Sequence, residues 1–303
     1  MTARDTVTVS AARGRRDATV VAIAFIPILL FALTPVSTRI IVGELDPLVA
    51  GLVRTAGAII VTLPLALLLR FALPRDAGGW WLLALNACTT FTAFPVLFCL
   101  GGQYTSASHA SLIMATTPII TGLCVAALER SRPRPAWWLG SAMAFSGEAA
   151  LVLLRAPGDT SGTLAGDLLI LGACLGAGVG YIAGARLIDR IGAWPATFWS
   201  ITLASILQIP FVALLWPRAD WRMVDLAGWL SLFHLTYGVT VIALMVWLWA
   251  LARGGIARIA VLQFIQPVLG VAFAALLLHE PLTFPLLLAG AAILAGVIIA
   301  RHR

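Results

Sequence analysis

Two glutamines, Gln263 and Gln266, precede Pro267 in the otherwise apolar stretch AVLQFIQPVLG. Three residues apart on a helix, they share one face. An amide in hydrocarbon is costly unless it is bonded or wet. The pair therefore either lines a cavity or joins neighbouring helices. Lining a cavity, it supplies neutral donors and acceptors that can replace a substrate's hydration. His109, Tyr104, Asn86 and Tyr181 belong to the same polar set within apolar runs, each with a structural role as its alternative. Pro118 and Pro267 each remove a backbone hydrogen bond. In lipid the freed carbonyl must be satisfied locally or face a cavity, so each proline reads as a kink on a pathway or as a packing kink.

Charges inside apolar runs are few. Arg54 falls about 10 Å into its run at 1.5 Å per residue, where a charge is expensive. Arg39, Glu44 and Asp46 are predicted at the same end. An ion-paired cluster is one reading of Arg54, and recognition of a substrate carboxylate is the other. Glu148 sits well inside a run, where burial raises a carboxyl pKa. It either exchanges a proton with the pathway or pairs with a polar neighbour. Gly172, Gly176, Gly180 and Gly184 recur every fourth residue and predict a smooth face for close helix approach. The four cysteines lie in apolar runs without C-x-x-C spacing, so no metal site is signalled. No P-loop, nucleophile elbow or paired-carboxylate constellation occurs, which predicts neither an enzyme nor a cofactor.

The elements that position these residues follow from composition. Of 303 residues, 61% are hydrophobic and 11% charged, against about a quarter charged in soluble domains. Lipid must solvate much of this chain. A crossing helix needs about 20 residues. Runs of that size occupy 19–41, 47–70, 79–101, 106–128, 136–154, 164–188, 194–216, 226–251, 258–279 and 282–300. The reading is an all-α membrane protein of about ten transmembrane helices. Residues 1–18 are polar and read as a disordered cytoplasmic tail. All 20 basic residues are Arg. With a cytoplasmic N-terminus, fifteen of them fall on the cytoplasmic side and three on the other, a positive-inside bias that puts both termini in the cytoplasm. The net charge of +7 thus orients helices and implies no nucleic acid.

An internal repeat organises the ten runs. SASHASLIMATTPIITGLCVAALER and GIARIAVLQFIQPVLGVAFAALLLHE each show an Ala-rich entry, a mid-helix proline and a terminal glutamate, Glu129 or Glu280. A helix with two spaced glycines follows each. Residues 19–154 and 155–303 then hold five spans apiece, and an odd number inverts the second half. Inverted repeats place a substrate site at mid-membrane between the halves.

The pattern resembles the EamA-type drug/metabolite transporter superfamily, with ten helices in two five-helix repeats. FALTPVSTRIIVGELDPLVAGLVRTAGA looks like its first helix pair, with Phe31-Ala32 where the family carries Trp. Within the superfamily it looks most like bacterial amino-acid exporters of the YddG kind. The resemblance implies inner-membrane export of small metabolites, neutral or aromatic amino acids first, with other metabolites or drugs as the alternative. A lipid-modifying intramembrane enzyme is the more distant alternative. The implied cavity is bounded by the third, fourth, eighth and ninth spans. Few basic residues lie near the two prolines, which argues against phosphorylated substrates.

Overall fold

The computed structural model describes residues 19–129, 134–153, 162–254, 259 and 261–301. Ten rods account for them. They are α1 Thr19–Glu44, α2 Pro47–Leu68, α3 Ala77–Gly102 and α4 Ala107–Ala127, then α5 Pro135–Leu153. The second series is α6 Leu164–Ile191, α7 Ala193–Arg218, α8 Leu226–Gly254, α9 Leu262–Leu277 and α10 Phe284–Ala300. Among the described residues, seven of these are long and apolar enough to cross a membrane, and α9 and α10 are shorter apolar helices. No strand forms among them, as lipid demands: backbone polar groups must be satisfied within each segment.

Helix starts follow local chemistry. The Asp46 carboxylate accepts from the N–H groups of Leu48 (2.9 Å) and Val49 (3.1 Å), with Pro47 at the first helical position. Asp76, Ser106, Thr163 and Asp225 cap α3, α4, α6 and α8 in the same way. Each satisfies a donor that the helix cannot pair itself.

The two halves pack as inverted copies. The α5–α10 contact is the most extensive, and α4 meets α9 while α2 meets α7. The α3–α6 contact is matched by α8–α1, and α4–α6 by α9–α1. Direction follows from single residues. A methyl group added at Gly140 would meet Ala300 and Gly296, whereas one at Gly147 would meet the Ala289 carbonyl at 2.9 Å. Numbers rise along α5 as they fall along α10, so these helices are antiparallel and touch backbone to backbone. The α4–α9 pair is antiparallel too, with Ser111 against Gly270 and Ala107 against Glu280. The glycine stripe on α6 packs where expected: Gly180 lies against Thr90 and Gly184 against Asn86 on α3.

Loops gather on two faces. On one, Glu44 accepts from Asp225 N–H at 2.9 Å, and Arg39 donates to the carbonyls of Gly102 and Gln103, both at 2.9 Å. There too the Thr105 hydroxyl donates to Asp167 at 2.6 Å. Both Glu280 carboxylate oxygens accept from α4, from Ala107 N–H (2.8 Å) and Ser108 N–H (2.9 Å). The opposite face carries the Asp76–Arg190 ion pair and a bond from the Trp199 indole to the Phe71 carbonyl at 3.3 Å. Arg190 beside Asp76 holds that carboxyl below the usual carboxylate range.

Candidate functional site

Between the halves lies a cavity of about 400 Å³. From α4 it takes Ser111, Met114, Thr117, Pro118 and Thr121, and from α9 Gln263, Phe264, Gln266 and Pro267. Phe94 of α3, Tyr181 of α6, and Leu294 and Val297 of α10 complete it. The expected boundary by the third, fourth, eighth and ninth spans needs correcting. Among the described residues none of α8 lines this space, and Tyr181 of α6 with Leu294 and Val297 of α10 do.

Both prolines sit in the wall. The ring of Pro118 removes the donor that the Met114 carbonyl would have used. That carbonyl instead takes the Thr117 hydroxyl at 2.6 Å, a local repair of the kind lipid requires. The α-helix breaks there, ending at Ala115 and resuming at Thr117. On α9 a 3₁₀ turn, Val261–Phe264, runs into the α-helix that starts at Ile265, just ahead of Pro267. Irregular backbone is tolerated at membrane depth where it lines a cavity.

Gln263 and Gln266 stand together on this wall, and neither amide bonds another side chain or backbone group among the described residues. Interhelical glue would require such bonds, so the geometry favours the cavity-lining alternative. Tyr181 joins them from α6. Three other expected members lie elsewhere. The Asn86 amide donates to Ser200 at 3.0 Å and ties α3 to α7. His109 is buried in the first turns of α4, outside the cavity lining. Tyr104 occupies the α3–α4 turn against Gly166. Glu148 lies on α5, but its side chain falls outside the described part, as do that of Glu129 and residues 1–18.

The ion-paired cluster expected around Arg54 does not form among the described residues. Glu44 and Asp46 are committed to backbone N–H groups, and Arg39 to backbone carbonyls. Arg54 is 3% exposed on α2, with the Cys99 thiol beside it. Its Nε and Nη1 have no partner. Its guanidinium carbon lies 5.9 Å from the ring centroid of Phe94, a cavity residue. α2 and α3 are drawn together one turn earlier, where a methyl at Gly51 would come 2.8 Å from Val96 Cα.

Two further features have no signal in the sequence pattern. Thr89–Ala93 in α3 and His234–Ala243 in α8 are π-helical. In each, a threonine hydroxyl bonds the carbonyl five residues back, Thr92 to Ala87 at 3.1 Å and Thr240 to Leu235 at 2.9 Å. These are equivalent helices of the two halves, and π segments concentrate at functional sites.

Comparison with known proteins agrees with this architecture. The pattern that defines the EamA-like transporter family matches residues 18–153 and again residues 164–301. The chain is 30% identical over 278 residues to the uncharacterized transporter YdeK of Bacillus subtilis (strain 168), covering 92% of this chain and 95% of that one. It is 28% identical over 226 residues to a probable amino-acid metabolite efflux pump of Salmonella typhimurium (strain LT2), covering 72% and 75%. A solved crystal structure superposes with a TM-score of 0.61 at 20% identity, over 94% of this chain and 96% of that one, which is a likeness of fold. Two matched halves, ten helices and a shared cavity lead to one conclusion: the chain is a multi-pass membrane protein and belongs to the EamA-like transporter family.

Proposed function

We propose that the chain exports small amphipathic metabolites, neutral or aromatic amino acids first, by alternating access in the bacterial inner membrane. Both termini lie in the cytoplasm in this reading, supported by the bias of fifteen Arg against three. The observation that carries it is the cavity between two antiparallel helices that carry Pro118 and Pro267, lined by two glutamine amides without a bond among the described residues. About 400 Å³ falls within the roughly 300–1,000 Å³ of small-molecule sites. The mixture of amides, hydroxyls, Phe94, Phe264 and Tyr181 suits a neutral, partly aromatic solute. The relative named as an amino-acid metabolite efflux pump supports the same class. Rocking of the halves would expose the cavity to each side in turn, driven by substrate or ion gradients.

Counterflow in proteoliposomes, screened across the amino acids, tests the class. Gln263→Leu tests the site, since it removes donor and acceptor at similar volume. Loss of one binding hydrogen bond costs about 0.5–1.5 kcal/mol, so KM should rise several-fold with normal membrane expression. Wild-type kinetics for every amino acid carried would remove Gln263 from the site.

A further inference from the structure

We infer that Arg54 is a carboxylate-binding residue of the transport path, screened from the cavity by Phe94 in the conformation seen here. This rests on the transport reading and names the substrate group it would recognise. A charged side chain inside a membrane protein ordinarily pairs with another or faces a wet cavity. Arg54 does neither: it is 3% exposed and forms no ion pair among the described residues. Its Nε and Nη1 present three N–H bonds with no acceptor. The carboxylates that the sequence suggested as partners, Asp46 and Glu44, serve backbone N–H groups instead, at the α2 cap and the α8 entry.

Phe94 is in contact with both this charge and the cavity. Phe94 lines the cavity and lies 5.9 Å from the guanidinium carbon, so a rotation of its ring connects the two. The π segment Thr89–Ala93 ends at the residue before Phe94, and a shift of that bulge along α3 would turn the ring. A guanidinium matches a carboxylate with bidentate geometry that ammonium groups lack. In a dry site it selects solutes bearing a carboxylate over their amine-only analogues.

The test uses the full-length chain in lipid nanodiscs with three matched probes: phenylalanine, phenylacetate and phenethylamine. Thermal-shift titration should show saturable binding of the two carboxylates and at least tenfold weaker binding of phenethylamine. Arg54→Met should lose that preference, and Arg54→Lys should recover part of it. Equal binding of the three probes by wild type overturns the inference, as does an unchanged preference in folded Arg54→Met. Should Arg54→Met fail to fold, Phe94→Ala serves instead. It should speed phenylglyoxal modification of Arg54, located by mass spectrometry, and phenylacetate should protect. Modification indifferent to both changes overturns the inference. If no amino acid shows counterflow but phenylacetate still binds through Arg54, the amino-acid reading fails and this one stands. Phenylalanine counterflow by Arg54→Met at wild-type KM has the opposite meaning.

Discussion

The two faces of the bundle are held by different chemistry. On the Glu44 face the ties between halves are carboxylates on backbone N–H groups: Glu280 on Ala107 and Ser108, and Glu44 on Asp225. The Thr105–Asp167 bond is buried beside them. On the Asp76 face, among the described residues, the polar ties of the loops across the halves are an ion pair whose side chains are 44% and 61% exposed and one indole bond, over the apolar packing of Leu83 on Leu187 and Ala196. A charged acceptor on backbone donors outlasts an exposed ion pair, which water and salt screen. The difference teaches that the polar ties at the loops of one face are charge-assisted bonds to backbone while those of the other are exposed to screening, so loosening between the halves should begin at the Asp76 face.

The strongest way to break that comparison is Glu280→Ala. Two N–H groups at the start of α4 would lose charged acceptors, a cost of about 2 kcal/mol or more. Thermal unfolding of the purified protein should fall by several degrees, and Glu280→Gln, which keeps one acceptor, should fall about half as far. A wild-type melting temperature for Glu280→Ala would leave no such difference to compare. Glu44→Ala sharpens the picture at smaller scale. One N–H near solvent is released, so about 1 kcal/mol should be lost, read by the same melt. The smallest effect belongs to Asp76→Asn. Arg190 holds the Asp76 carboxyl below its usual range, so its contribution is present at neutral pH and fades as pH falls through that lowered value. The difference between Asp76→Asn and wild type should therefore shrink in acid and in high salt. A difference that persists under both would make the two faces alike.

Much of the frame was legible in the chain. Apolar runs of about 20 residues located the rods because a crossing helix must be that long, whereas the caps Asp46, Asp76, Ser106, Thr163 and Asp225 emerged only with the structure. The glycine stripe of α6 signalled close packing, and the odd number of spans per half required the inversion that antiparallel α5 and α10 display. The place of Gln263 and Gln266 on a cavity wall was legible because amides stand out against hydrocarbon. The pairing of Arg54 was not, since sequence depth places charges near one another without saying that backbone groups have already taken Glu44 and Asp46. Lining by α6 and α10 depends on how rods lean, which periodicity does not encode. The π segments were hidden for a similar reason: one residue of extra winding leaves the apolar pattern intact, and the hydroxyls of Thr92 and Thr240 fit either register.

The glycine contact between α5 and α10 has a consequence for entropy. At Gly140 and Gly296 the touching surfaces are backbone and an alanine methyl, and neither glycine nor alanine has rotamers to order. Displacing one helix along the other at these positions freezes and frees no side-chain freedom, whereas every leucine on a conventional seam would have to settle again into a new well at about 0.5–1 kcal/mol each. Separation of the two helices is opposed by dense contact, whereas at these two glycines translation along their common axis reorders no rotamer. The glycine part of the seam can therefore hold the halves together while adding no side-chain entropy cost to their motion.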